Sequence, residues 1–211
     1  MKKALIILIL FALFTVLVCN FAVITDIDRS IIIFLQHKLN ISPEIAAILT
    51  SKKLYYGMIY LPIIIWIVYF IINKLYYHIA VLIASPYIAY GFNTIFKNII
   101  ARPRPPIELQ LGTHSISYSY VSNHTLIMTC LWGMIIFYTN KYCKNAIIRR
   151  IITIFSFLWI IFSGLSRILL GVHNPTDVIG AYILGSFFLM VYIKTANLIS
   201  KRFEQWKTYL L

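Results

Sequence analysis

Carboxylates are scarce in this chain: six Asp and Glu stand against 19 Lys and Arg in 211 residues. The formal net charge of +13 would ordinarily suggest nucleic acid as a partner. The placement of the cations excludes it. They flank long apolar runs, where positive charge sets membrane orientation and meets anionic lipid headgroups, and they form no patch on a soluble domain. Cysteine is scarce too. Cys19 and Cys130 lie inside apolar runs and Cys143 lies in a short basic loop. Three is an odd number and no metal-ligand spacing occurs, so neither a disulfide framework nor a zinc site is read. No metal and no cofactor is expected.

What the chain has in excess is apolar surface. It is 61% hydrophobic with a mean hydropathy of +0.84, where soluble domains run at about 45–50% apolar. The excess is gathered in runs, so the chain reads as an integral membrane protein, with 1–211 as a single transmembrane domain. The expected fold is all-α, a polytopic six-helix bundle. The spans are expected at about 4–24, 55–72, 75–101, 123–139, 151–172 and 175–193. The first run follows Met1-Lys2-Lys3 and could be mistaken for a signal peptide. Its roughly 21 residues make a helix of about 31 Å, longer than the usual apolar region of a signal peptide, so a retained first helix is expected.

Between the first two spans, Asp26-Ile27-Asp28-Arg29-Ser30 leads into Ile31 to Leu35 and then Gln36-His37-Lys38. That stretch is too short and too polar to span and fits a helix lying at the outer interface. Ser42-Pro43-Glu44 reads as the start of a second short helix, with Ser as cap and Pro in the first turn. Eleven Lys and Arg fall on one side of the six spans and eight on the other. The positive-inside rule then places both termini in the cytoplasm.

That topology brings scattered polar residues together. Lys97 lies near the outer end of the third span, and Ser122-Asn123-His124 at the outer start of the fourth. Arg167 lies near the outer end of the fifth, and Asp177 at the outer start of the sixth. Ionisable groups so deep in apolar sequence read as functional by default. Each also has a plainer reading. Lys97, Arg104 and Arg167 suit side chains that snorkel to the headgroups. Asn174-Pro175-Thr176-Asp177 is a good helix start. Ser122 suits a cap, and His124 an interface histidine. Taken together, three cations and a helix N-terminus could cradle phosphoryl oxygens while one histidine attacks phosphorus and a second protonates the leaving oxygen. A carboxylate four residues after His173 would fix the ring's tautomer.

These residues resemble the type 2 phosphatidic acid phosphatase superfamily, which also includes vanadium haloperoxidases. The family pattern is Lys, six residues, Arg-Pro; then Pro-Ser-Gly-His; then Ser-Arg, five residues, His, three residues, Asp. Lys97 with Arg104-Pro105 matches the first motif, and Ser166-Arg167, His173 and Asp177 match the third. The middle motif departs from it: Val121-Ser122-Asn123-His124 keeps Ser and His but replaces Pro and Gly. The resemblance implies that His173 forms a phosphohistidine, Asp177 orients it and His124 is the general acid. It further implies that Lys97, Arg104, Ser122, Asn123 and Arg167 bind the phosphoryl group, Asn123 through its N–H or its amide.

Arg102 makes a second Arg-Pro pair and is a candidate contact to an extended headgroup. The loop Ile107 to Tyr120, which carries His114, could cover the site, with His114 as another candidate contact. Ala181 and Gly185 suggest close helix packing.

The activity implied is a metal-independent lipid phosphate phosphatase of the bacterial inner membrane, its site facing the periplasm or cell exterior. Undecaprenyl pyrophosphate, phosphatidylglycerophosphate, phosphatidic acid and lipid A phosphate all suit such a site, and no nucleic-acid partner is expected. Oligomeric state is open. A lipid phosphotransferase using the same intermediate and a non-catalytic lipid-binding or transport protein are the alternatives.

Overall fold

In lipid a backbone can satisfy its N–H and C=O groups only within itself, and the apolar runs accordingly fold as helices. The computed structural model describes residues 2–112 and 116–209. The helices are α1 (Lys2–Asn20), α2 (Ala22–Leu39), α3 (Pro43–Thr50), α4 (Lys52–Ile72), α5 (Tyr77–Ile100), α6 (Asn123–Tyr142), α7 (Ala146–Leu169) and α8 (Pro175–Tyr209), with one 3₁₀ turn at Ile107–Leu109. Among the described residues there is no strand.

Five stretches among the described residues are long and apolar enough to cross a membrane: α1, α3 with α4 (Pro43–Ile72), α5, α7, and α8 as far as Phe203. The sixth expected span, α6, is not among them. It is 20 residues long, but Thr125, Thr129 and Thr139 are buried within it. The physical reason lies in its place. α6 is the inner helix of the bundle, packed against α5, α7 and α8. Its surroundings are other helices, so an apolar exterior is not required of it. Leu126, Leu131, Met134, Ile135 and Tyr138 of α6 are wholly or almost wholly inaccessible and form the middle of the core.

Several boundaries differ from the expected ones. The first span stops at Asn20 because Phe21 is extended (φ −111°, ψ 107°), and α2 begins at once with Ala22. α2 is therefore longer than the polar stretch suggested, ending at Asn40 in a left-handed conformation (φ 42°). α3 starts at the expected place, with the Ser42 hydroxyl accepting from Ile45 N at 3.4 Å. α7 starts five residues early, because Asn145 caps the N–H groups of Ile147 and Ile148 and draws Arg149 and Arg150 into the helix. α8 continues well past 193, to Tyr209.

Small residues set the spacing of the inner helices, as Ala181 and Gly185 suggested. Ala181 is inaccessible, and a β-carbon on Gly185 would lie 2.7 Å from Cγ2 of Thr129 on α6. A Gly185→Val substitution should therefore destabilise the bundle by about 1–3 kcal/mol through overpacking. Gly57→Ala, where a β-carbon meets nothing within 4 Å, should not destabilise it. Thermal unfolding of both variants in detergent checks the pair.

Candidate active site

The nucleophile candidate is placed by a tight turn. α7 ends at Leu169, and Gly171 takes the left-handed conformation (φ 64°) with the Leu109 carbonyl against it, where a β-carbon has no room. The chain then folds back so that Val172 and His173 both donate their N–H to the Arg167 carbonyl, at 3.2 and 3.3 Å. Pro175 opens α8. Asp177 returns Oδ2 to the N–H of Asn174 at 2.9 Å, as the third residue of a capping box does. The same Oδ2 lies 3.4 Å from His173 Nδ1. Helix start and histidine–carboxylate pair are thus one structure. A carboxylate can only accept, so Nδ1 carries the proton and Nε2 keeps its lone pair. That Nε2 lies 3.3 Å from Nη1 of Arg104. Burial, opposed by the Asp177 hydrogen bond and reinforced by Arg104 and Lys97, pushes the His173 pKa down to about 4.

Two cations are fixed by the loop ahead of α6. Lys97, in the last turn of α5, donates Nζ–H to the carbonyls of Tyr118 (2.7 Å) and Ser119 (3.3 Å). An ammonium has three donors, so one is left over. Arg104 donates from Nε to the Ser117 carbonyl at 2.7 Å and from Nη1 to the Val172 carbonyl at 2.5 Å. Burial lowers its pKa, with Asp177 opposing. The guanidinium thereby ties the loop before α6 to the turn before α8.

The middle motif is held from α5. Asn93, fully buried in the middle of that helix, donates to the Val121 carbonyl at 2.9 Å and to Asn123 Oδ1 at 2.6 Å. The Asn123 side chain is thereby drawn toward α5. Ser122 precedes the helix without capping it; its hydroxyl accepts from Thr125 at 3.1 Å. His124, in the first turn of α6, lies against the Tyr55 ring of α4 with centroids 4.2 Å apart.

Lys97, Arg104, Asn123, His124 and His173 line one cavity of about 420 Å³. The rest of its lining is aromatic and aliphatic, with Tyr55, Tyr56, Tyr60, Tyr87 and Tyr90 among its residues. Arg167 is not among its lining residues but lines, with His124, Leu49 and Ser166, a small cavity of about 30 Å³, and donates to the Leu49 carbonyl at 2.5 Å. Ser122 and Asp177 are buried and do not line the larger cavity.

Arg102, expected as a headgroup contact, is turned the other way. It is buried, with Nη1 on Asp177 Oδ1 at 2.5 Å and Nη2 on Asp28 Oδ2 at 2.8 Å. It also borders a second, more polar cavity of about 300 Å³ that has Arg104, Asp26, Arg29 and Asn174 on its walls. Burial alone would lower the Arg102 pKa, but Asp177 and Asp28 outweigh this and raise it. His114 lies outside the described residues. Among the described residues no group of three or more His, Cys, Asp or Glu is placed to hold a metal.

Asp28, Asn93, Ser119, Thr176 and Tyr55 take part in this network and were not singled out by the sequence. For Asn93 a signal existed, a polar amide in mid-span. Asp28 lies in a stretch whose shortness and polarity suit an interfacial helix, and its partners are 74 and 148 residues away.

The sequence profile described as the PAP2 superfamily matches residues 74–200. The chain is 30% identical over 117 residues to phosphatidylglycerophosphatase B of Bacillus subtilis, a match covering 54% of this chain and 55% of that protein. It thus spans about half the length of that curated relative. It also resembles the crystal structure of a transmembrane PAP2-type phosphatidylglycerolphosphate phosphatase from Bacillus subtilis. There the TM-score is 0.77 at 20% identity, covering 94% of this chain and 98% of that one. At that identity the likeness speaks for the fold.

An Asn93→Leu substitution removes the partner of the Asn123 amide and the Val121 carbonyl together. The expected cost is about 1–3 kcal/mol for the unpaired buried groups, measured as a lowered unfolding temperature in detergent.

Proposed function

Because the chain belongs to the PAP2 superfamily, we propose that it is a lipid phosphate phosphatase working through a phosphohistidine on His173. The single observation that carries this reading is the mixed lining of one cavity. His173, His124, Lys97 and Arg104 line it together with aromatic and aliphatic side chains. A phosphate ester of a lipid presents this combination, a compact anion joined to long apolar chains. Phosphatidylglycerophosphate is the first candidate substrate, since the Bacillus relative is named for it.

In this mechanism Nε2 of His173 forms a bond to phosphorus while the bond from phosphorus to the lipid oxygen breaks. His124 gives its proton to the departing oxygen. Asp177 balances the positive charge that the phosphorylated imidazole carries. Water then attacks phosphorus and yields a proton to His124 as the P–N bond breaks, which frees phosphate and restores neutral His173. Lys97, Arg104 and the N–H groups that open α6 supply the fixed charge and dipoles that a phosphoryl transition state needs. Ser122 and Asn123 shape that helix start. Arg167 joins the phosphate once it lets go of the Leu49 carbonyl. With these donors the mechanism has no metal step.

The membrane arrangement proposed with it is a single domain of six spans. α6 is the inner span, α2 and α3 lie near the outer interface, both termini are cytoplasmic, and the site faces the exterior side of a bacterial inner membrane.

Phosphate release from phosphatidylglycerophosphate in detergent, with EDTA present and no acceptor alcohol, tests the reading. The wild type should turn over, and His173→Ala should be slower by at least about 10³-fold. Activity retained in His173→Ala would sink the mechanism, and activity lost to EDTA would remove its metal independence. The acid limb of kcat/KM provides a second check. Because the His173 pKa lies at about 4 rather than the ordinary 6.5, the imidazole stays neutral as pH falls through that interval. The nucleophile is then lost only near pH 4, and a pH–rate profile of the free enzyme should show its limb there.

A further inference from the structure

A buried arginine outside the lining of the His173 cavity is bonded to two carboxylates at once. Arg102 divides its two terminal nitrogens between Asp177 Oδ1 at 2.5 Å and Asp28 Oδ2 at 2.8 Å. Nη1 also reaches Thr176 Oγ1 at 2.8 Å. Asp28 itself comes from α2 and grips the start of α8. Its Oδ1 accepts from the N–H of Thr176 at 3.0 Å, and its Oδ2 accepts from the Thr176 hydroxyl at 2.5 Å. The Ser119 hydroxyl, whose closest acceptor is the Pro103 carbonyl at 2.8 Å, also lies 3.4 Å from Asp177 Oδ1. All three charged side chains are nearly inaccessible, at 6% for Arg102, 1% for Asp28 and 0% for Asp177.

The geometry points to Arg102 and Asp28 as positioning residues for the nucleophile, acting through Asp177. The inference rests on the proposed role of His173. The terminal torsion of an aspartate is broad, so its own bonds do not fix the plane of the carboxylate. Here Arg102 holds Oδ1, which leaves Oδ2 turned toward Asn174 N and His173 Nδ1. Arg102 is in turn aimed by Asp28, because a guanidinium is a rigid planar fork and fixing one tip fixes the other. The chain of contacts runs Asp28, Arg102, Asp177, His173, and ends at the atom opposite the reactive Nε2. A second tie from the same helix supports the same turn. Gln36 of α2 donates to the carbonyl of Leu109 (2.8 Å), which lies against Gly171, and to that of Leu169 (3.0 Å), the last residue of α7. α2 thus holds the turn that carries His173 by its backbone and the carboxylate beside it by a relayed charge.

A positioning role and a substrate contact leave different kinetic marks. Arg102 does not line the cavity that holds His173. Loosening it should therefore slow the chemical step with little effect on binding. Arg102→Lys and Asp28→Asn are the conservative variants. Lysine keeps the charge but lacks the fork. Asparagine keeps the shape of Asp28 and can still accept from Thr176. For both we expect kcat on phosphatidylglycerophosphate to fall about 10–100-fold, the scale of a misplaced catalytic group, with KM within about twofold of the wild type.

Combining the two substitutions should cost hardly more than either one, since they act along one relay. Arg102→Met, which removes charge and fork together, should be slower than Arg102→Lys, so that lysine reads as partial rescue. Unfolding temperatures identify folded protein before kinetics are compared. A raised KM with unchanged kcat would make Arg102 a headgroup contact and overturn the inference. Unchanged kcat in folded Asp28→Asn would overturn it as well. An inactive wild type, or an active His173→Ala, would instead be a failure of the phosphatase reading itself.

Discussion

The carboxylate of Asp177 is completely removed from solvent, and much of the site follows from that constraint. An ionised carboxylate in such surroundings must be paired and hydrogen-bonded or it will take up a proton. Arg102, Ser119, the N–H of Asn174 and His173 are the groups that meet the need. They come from the segment after α5, the loop before α6 and the turn before α8, and Asp28 brings in α2. Burying one charge therefore obliges four separate stretches of chain to meet, and the turn with His173 is fixed as part of the same arrangement.

The cations on the cavity side are handled differently. Lys97 and Arg104 have no carboxylate within ion-pair reach among the described residues; each is seated on backbone carbonyls of residues 117–119 or 172. Carbonyls orient a cation without neutralising it. The positive field in the cavity therefore remains available to an anion, whereas the charge of Arg102 is already matched by two aspartates. Nearby arginines, two residues apart in sequence, do opposite work for that reason.

Much of this was legible in advance, and the boundary has a physical basis. Spacing within a helix or across one turn is local information, so Lys97 with Arg104 and His173 with Asp177 could be read directly. Helix starts at Ser42 and Pro175 were readable for the same reason, because capping chemistry is local. The partners of Arg102 lie 74 and 75 residues away, and those of Asn93 lie 28 and 30 residues away. No window of sequence carries such pairings. α6 was readable as a helix at 123–139, yet it is less apolar than the five other long stretches, because this helix packs against protein on several sides. Phe21 broke the first apolar run although nothing in its composition announces a stop, since Phe is at home in a helix.

Arg104 has one further property of position. It lies on the wall of the aromatic-lined cavity and on the wall of the more polar one beside Asp26 and Arg29. A shift of that one side chain therefore cannot be felt by one cavity alone. Whatever moves it from its seat on the Ser117 and Val172 carbonyls alters the charge presented to both spaces together.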